Sequence, residues 1–291
     1  MAREHQVSAP ETLDFDGPVD TLQVRLVGGA VNIVGSDDPG ARLEVTEIEG
    51  PPLEVTQEGG RLTIAYEDLD WKGFLKRLER KGWRRRAVVS LAVPYGTRVE
   101  VGVVTAHAVV SGITGRTDVR GVSGDTTITG IAGDIRAETV SGNLDAQGIT
   151  GHLKFGSVSG ALTVVDSELA AVKADSVSGD MVLDLAPGCL EDGARISTVS
   201  GDVALRLPED SSLTVDTSTA SGAVSNAFDE LQVNGMWGAK SINGRLGDGK
   251  GKLGVNTVSG AIALLRRPPV DDLPADDPAD AGPSEHDKKV L

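Results

Sequence analysis

Between residues 104 and 183 apolar and polar positions alternate inside a nine-residue unit. Its first position holds Val104, Ile113, Val122, Ile131, Val140, Ile149, Val158 and Val177. The fifth runs from Ala108 and Thr117 to Leu162 and Met181, and the seventh from Val110 and Val119 to Val164 and Leu183. Even positions are mostly polar, with Arg116, Asp118, Arg136, Asp145, Lys154 and Lys173 among them. Alternation with period two predicts strands with one buried and one wet face. The third position is almost always Gly, which predicts an inward bend with no room for a Cβ and a need for positive φ.

Two units make one coil. Val122-Ser123-Gly124-Asp125 returns at Val140-Ser141-Gly142-Asn143, Val158-Ser159-Gly160-Ala161 and Val177-Ser178-Gly179-Asp180, at spacings of 18, 18 and 19 residues. Weaker copies such as Ile113-Thr114-Gly115 and Ile149-Thr150-Gly151 lie half-way. A nine-residue strand and bend cannot bury its apolar face alone, so coils must stack. The prediction is all-β: a single-stranded, right-handed β-solenoid of nine-residue half-coils, its hand set by the rule for parallel crossovers. Ser at the second position and Asp or Asn at the fourth are placed to hold the corner through backbone hydrogen bonds.

Either side of the regular core the rhythm loosens. Residues 1–10 read as a flexible N-terminus, and 11–267 as one solenoid domain. Within it, 11–95 form irregular first coils and a cap, and 96–267 the repeat coils, which lengthen after Met181. From Pro268 to Leu291 prolines and aspartates dominate, the composition of a disordered acidic tail.

One stretch departs from the β rhythm. Residues 71–86 carry Lys72, Lys76, Arg77, Arg80, Lys81, Arg84, Arg85 and Arg86 against Glu79 alone. Trp71, Phe74, Leu75 and Leu78 share a helical stripe with Trp83 at its edge. This predicts a short inserted amphipathic helix, one that caps the solenoid or lies on an anionic membrane. Each base near such a surface contributes about 1 kcal/mol.

The recurring Val-Ser-Gly-Asp phrase, with Thr198-Val199-Ser200-Gly201-Asp202 and Thr257-Val258-Ser259-Gly260-Ala261, resembles a bacterial family of β-strand repeat proteins. That family is labelled adhesin-like, is a domain of unknown function (number 4097), and is related to head domains of envelope-stress proteins. The resemblance covers roughly residues 20–267. It implies a fold and a link to envelope stress, and carries over no catalytic residue.

Formal net charge is −15, so the remainder outside residues 71–86 is more acidic still, and nucleic acid is not expected as a partner. His5, His107, His152 and His286 are scattered, and the single Cys189 offers no ligand pair. The Asp column is interrupted by Arg116, Asn143, His152 and Ala161, too mixed for converging calcium ligands. Glycine-rich stretches at 235–241 and 247–251 lack the glycine–lysine order of a phosphate loop, and no G-x-S-x-G elbow occurs. No cofactor, metal or catalytic residue is therefore expected. The sequence carries neither a signal-peptide core nor about 18 consecutive apolar residues, which predicts a cytoplasmic protein, peripheral to the inner membrane if the basic helix engages it. The leading expectation is a non-enzymatic scaffold that binds an unidentified protein and self-associates through solenoid ends. The alternative is a carbohydrate-binding or -degrading β-helix.

Overall fold

The computed structural model describes residues 3–66, 85–236 and 238–268, and all their regular structure is β. The chain opens with β1 (Arg3–Val7) and β2 (Glu11–Phe15), then forms a coil from β3 (Thr21–Leu26) and β4 (Gly28–Ser36). Next come β5 (Ala41–Glu49), β6 (Leu53–Glu58), β7 (Arg61–Ala65) and β8 (Arg86–Pro94). Regular coils follow: β9 (Arg98–Val103) with β10 (His107–Ser111), β11 (Thr117–Gly121) with β12 (Thr126–Thr129), and β13 (Ala132–Glu138) with β14 (Leu144–Gln147). After β15 (Thr150–Gly156), the long β16 (Leu162–Asp175) turns a corner and serves both ladders. Then come β17 (Met181–Leu185), β18 (Gly193–Ser197), β19 (Val203–Leu207), β20 (Leu213–Thr219) and β21 (Val224–Asn226). The last are β22 (Leu231–Met236), β23 (Ala239–Leu246), β24 (Gly251–Thr257) and β25 (Ile262–Arg266).

These strands form two ladders whose apolar faces share one core. In the first, β9, β11, β13, β15, the end of β16 and β18 pair in parallel. In the second, β10, β12, β14, the start of β16, β17 and β19 do the same. The 18-residue coil is visible in the register, where Ile135 pairs with Leu153 and Leu144 with Leu162. All four are buried, as the alternation predicts. Each coil gains by covering the apolar face of the one before.

The repeated geometry of the corners has a specific cause. Gly142 N–H donates to Thr139 Oγ1 at 3.0 Å, and Gly160 N–H to Ser157 Oγ at 2.7 Å. The Ser side chains of the phrase donate to the previous coil, Ser141 Oγ to Val122 O at 3.1 Å for example. Asn143 N–H donates to Asp125 Oδ1 at 2.9 Å, and Ala161 N–H to Asn143 Oδ1 at 3.0 Å. Ser and Asx thus hold the corner as expected, by bonding coil to coil.

Four points differ from the sequence reading. At the Ile-x-Gly corner the first position is inward, with Ile113, Ile131 and Ile149 fully buried. At the Val-Ser-Gly corner it is outward: Val140, Val158, Val177, Val199 and Val258 are 41–53% exposed. Val and Ser both face out there, which breaks the period-two phase. The Gly of this corner (Gly124, Gly142, Gly160) has no positive φ, and space alone requires it.

Coil order also departs from chain order at both ends. β3 lies between β7 and β9, and β4 between β8 and β10. β24 lies between β18 and β20, and β25 between β19 and β21. The copy at Val258–Gly260 therefore stacks directly on Val199–Gly201, and Ala220-Ser221-Gly222 becomes the outer coil.

The N-terminal stretch is also more structured than its sequence suggests, since β1 pairs antiparallel with β6 and buries Val7. With β2 on β5, it covers the open edges of both ladders. At the other end the antiparallel β22–β23 pair covers β20. The helix predicted over 71–86 lies outside the described residues except for Arg85 and Arg86, and no helix occurs among the described residues. Pro268 closes the described chain, so the tail also lies outside.

Candidate functional site

The outward positions of the first ladder are brought into rows by its register. Asp118 pairs with Arg136, Arg136 with Lys154, Lys154 with Lys173 and Lys173 with Arg195. The spacings along the chain are unequal, and two devices equalise them. A bulge in β16 absorbs one residue between Leu169 and Ala171, and the turn around Pro187–Asp192 absorbs the extra length before β18. Four cations then stand side by side on neighbouring strands, which lie about 4.8 Å apart.

Charges at one end of this row are neutralised. Arg116 forks onto the buried Asp118, with Nε–Oδ2 at 2.9 Å and Nη2–Oδ1 at 3.1 Å. Arg98 reaches the same carboxylate at 3.3 Å and Glu100 at 2.8 Å. Hydrogen bonding to Asp118 raises the pKa of Arg116. Within the row the pairing thins out. Arg136 donates to Glu138 at 3.0 Å through Nε, and Lys173 lies 3.9 Å from Asp175. Lys154 and Arg195 are exposed and make no ion pair among the described residues. Like charges set directly opposite on neighbouring strands destabilise a sheet.

Beside the row lies a shallow groove of about 530 Å³. Its floor is low because Ala171 and Gly254 occupy outward positions on two strands. His152 stands at its edge, with Nδ1 2.8 Å from Asp134 Oδ1 and Nε2 3.5 Å from Asp192 Oδ2. The hydrogen bond to Asp134, and then that to Asp192, raises the imidazole pKa above 6.5. Six Lys or Arg side chains and two Asp line the groove, the reverse of the chain's overall balance.

Elsewhere the polar groups are used structurally. Asp184, on β17, accepts a fork from Arg206 on β19, with Nε–Oδ1 at 2.8 Å. Arg267 ties the same corner to Asp166 at 2.7 Å and to Leu185 O at 3.1 Å. The hydrogen bond from Arg206 lowers the Asp184 pKa below 3.8. Burial pushes the Cys189 thiol up to about 11. Among the described residues no group of three or more His, Cys, Asp or Glu is placed to hold a metal ion. The stretch at 235–241 falls at the β22–β23 turn, where Gly235 pairs with Lys240.

Of the candidate residues from the basic stretch, Trp71 to Arg84 lie outside the described residues. Arg85 lies over the Tyr66 ring at 5.3 Å, and Arg86 Nε meets Glu47 Oε2 at 3.3 Å. The row found here was partly legible: Arg136, Lys154 and Lys173 share one phase of the repeat, but Arg195 sits 22 residues beyond Lys173.

Two parallel ladders with one shared core, covered by antiparallel strands on both ladders at the first end and on the first ladder at the other, and bearing ordered charge rows, define a β-solenoid-like repeat protein. The chain belongs to the Toastrack DUF4097 family, whose profile matches residues 20–265. A candidate lipid-binding protein from Parabacteroides distasonis is similar at 13% identity and a TM-score of 0.41, with 88% of this chain and 97% of that chain covered. A candidate adhesin from Bacteroides fragilis is similar at 11% identity and a TM-score of 0.39, covering 88% and 97%. One from Parabacteroides merdae is similar at 9% and 0.40, covering 88% and 96%. No curated protein matches the chain.

Proposed function

We propose that this chain is a non-catalytic binding module that uses the face of the first ladder as its recognition surface. The observation that carries the reading is the register row Arg136–Lys154–Lys173–Arg195, four cations held in line beside a groove and incompletely paired by the protein. A rigid ladder fixes such side chains at low entropic cost, which favours recognition of a partner with opposite charge. The coil is taken as right-handed on the crossover rule. The basic stretch 71–86 and the family resemblance support a peripheral position on an anionic membrane, in envelope-stress signalling.

The test is a panel of immobilised glycans, peptides and anionic vesicles, probed with the full chain and with Lys154→Glu/Lys173→Glu. The expected result is retention of at least one anionic class that the double variant loses while keeping its fold by circular dichroism. Binding that is indifferent to the double variant, or turnover of a retained ligand into fragments, overturns the reading.

A further inference from the structure

Resting on that reading, we infer that the groove takes a linear polysaccharide carrying a carboxylate on successive sugars. The argument starts from spacing. The row runs across the strands, along the stacking direction, with a cation on each of four consecutive coils. At the usual strand separation of about 4.8 Å, its four charges span about 14 Å. That step is close to the length of one pyranose ring in an extended chain. Rings of an extended chain face alternate sides, so same-side carboxylates recur every second ring and would meet Lys154 and Arg195, which lie two coils or about 9.6 Å apart, Arg195 through its planar fork.

Other anionic polymers fit less well. Same-side acidic residues of an extended peptide are about 6.7 Å apart and fall out of step with the row within two coils. Single-stranded nucleic acid is held by base stacking on aromatic side chains, and among the described residues no Phe, Tyr or Trp lines this groove. The same lack of aromatics argues that a sugar here is recognised by its charge and not by its ring face. The small residues Ala171 and Gly254 leave room for the ring bodies beside the charges. Lys154 and Arg195, which make no ion pair among the described residues, would be the main anchors.

The experiment is affinity electrophoresis of the full chain in gels containing polygalacturonate, at low and at raised salt, with dextran as the neutral control. Wild type should be retarded by polygalacturonate only, and less so as salt rises. Lys154→Gln/Lys173→Gln/Arg195→Gln should weaken retardation at least tenfold. A triple variant of equal charge elsewhere, Arg42→Gln/Lys240→Gln/Lys250→Gln, should leave it unchanged. If the first triple variant melts at a lower temperature than wild type, Lys154→Gln/Lys173→Gln is read in its place. Absence of retardation in polygalacturonate overturns the inference, as does equal loss in the two triple variants. Tighter capture by oligo-glutamate, single-stranded DNA or anionic vesicles through the same row overturns the glycan and leaves the binding-module reading standing.

Discussion

A Cβ added to Gly142 would lie 2.1 Å from the carbonyl oxygen of Gly124, one coil below. The same approach recurs upward through the stack, with Gly160 on Gly142 at 2.0 Å and Gly179 on Gly160 at 1.9 Å. The upper corner can sit this close only because its residue lacks a Cβ, whereas the residue below can carry one, as Ala106 does beneath Gly124. Gly142→Val should therefore destabilise by about 2 kcal/mol or more, through overpacking and not through φ strain. The exposed Asp145→Ala, on the neighbouring strand, should change stability by no more than about 0.5 kcal/mol. Denaturant midpoints check both, and equal midpoints for the two variants would refute the assignment of the corner.

Asp184 and Arg206 form a charged fork at a site where the Asp184 side chain is 9% exposed. Because the folded pKa is depressed below 3.8, the stabilisation is complete above that value and is lost as pH falls through the folded pKa. Asp184→Asn should cost about 1.5–3 kcal/mol at pH 7, the range for hydrogen bonds to charged groups, and progressively less below pH 3.8. Urea melts of wild type and variant at neutral and acid pH measure the gap. A gap that does not shrink in acid contradicts the pairing.

His152 offers a spectroscopic check on the groove. With its pKa raised by hydrogen bonding to Asp134 and then to Asp192, its contribution to stability is present below pH 6.5 and lost as pH rises through the folded value. The imidazole resonances should titrate above 6.5, and Asp134→Asn should move the midpoint down. A titration unaffected by that substitution would remove Asp134 from the pair.

Cys189 should be nearly inert. With the thiol at about 11, the thiolate is scarce at pH 8, and alkylation should run on the order of a hundredfold slower than for an unperturbed thiol. Rates with iodoacetamide, folded against urea-unfolded, measure this. A folded rate equal to the unfolded one would place the side chain in solvent.

The basic stretch makes its own prediction. If the chain engages membranes through residues 71–86, it should sediment with anionic vesicles and not with neutral ones, and release as salt rises. Arg84→Glu with Arg86→Glu should abolish sedimentation while leaving the β circular dichroism unchanged, because the Arg86–Glu47 pair is exposed and contributes little to stability. No sedimentation of wild type at low salt would end the membrane reading.

What the sequence determined by itself is the local rule. Period-two alternation in nine-residue units leaves stacked coils as the way to bury Ile135, Leu144, Leu153 and Leu162, and it puts Arg136, Lys154 and Lys173 outside. Ser141 and Asp125 were legible as corner residues because such side chains bond nearby backbone wherever the chain turns. The tertiary structure alone decided which coil lies on which. Nothing local distinguishes Gly222 from Gly260 as the neighbour of Gly201, and a longer loop costs little extra entropy, so the better-covered edge can take the later strand. It also turned Val140 and Val158 outward, since the corner places two consecutive residues in solvent and resets the phase. The cationic row belongs to the same class of fact. Arg195 joins Lys173 only through a register that spans 22 residues, and register is set by the packed ladder as a whole, beyond the reach of any one coil's sequence.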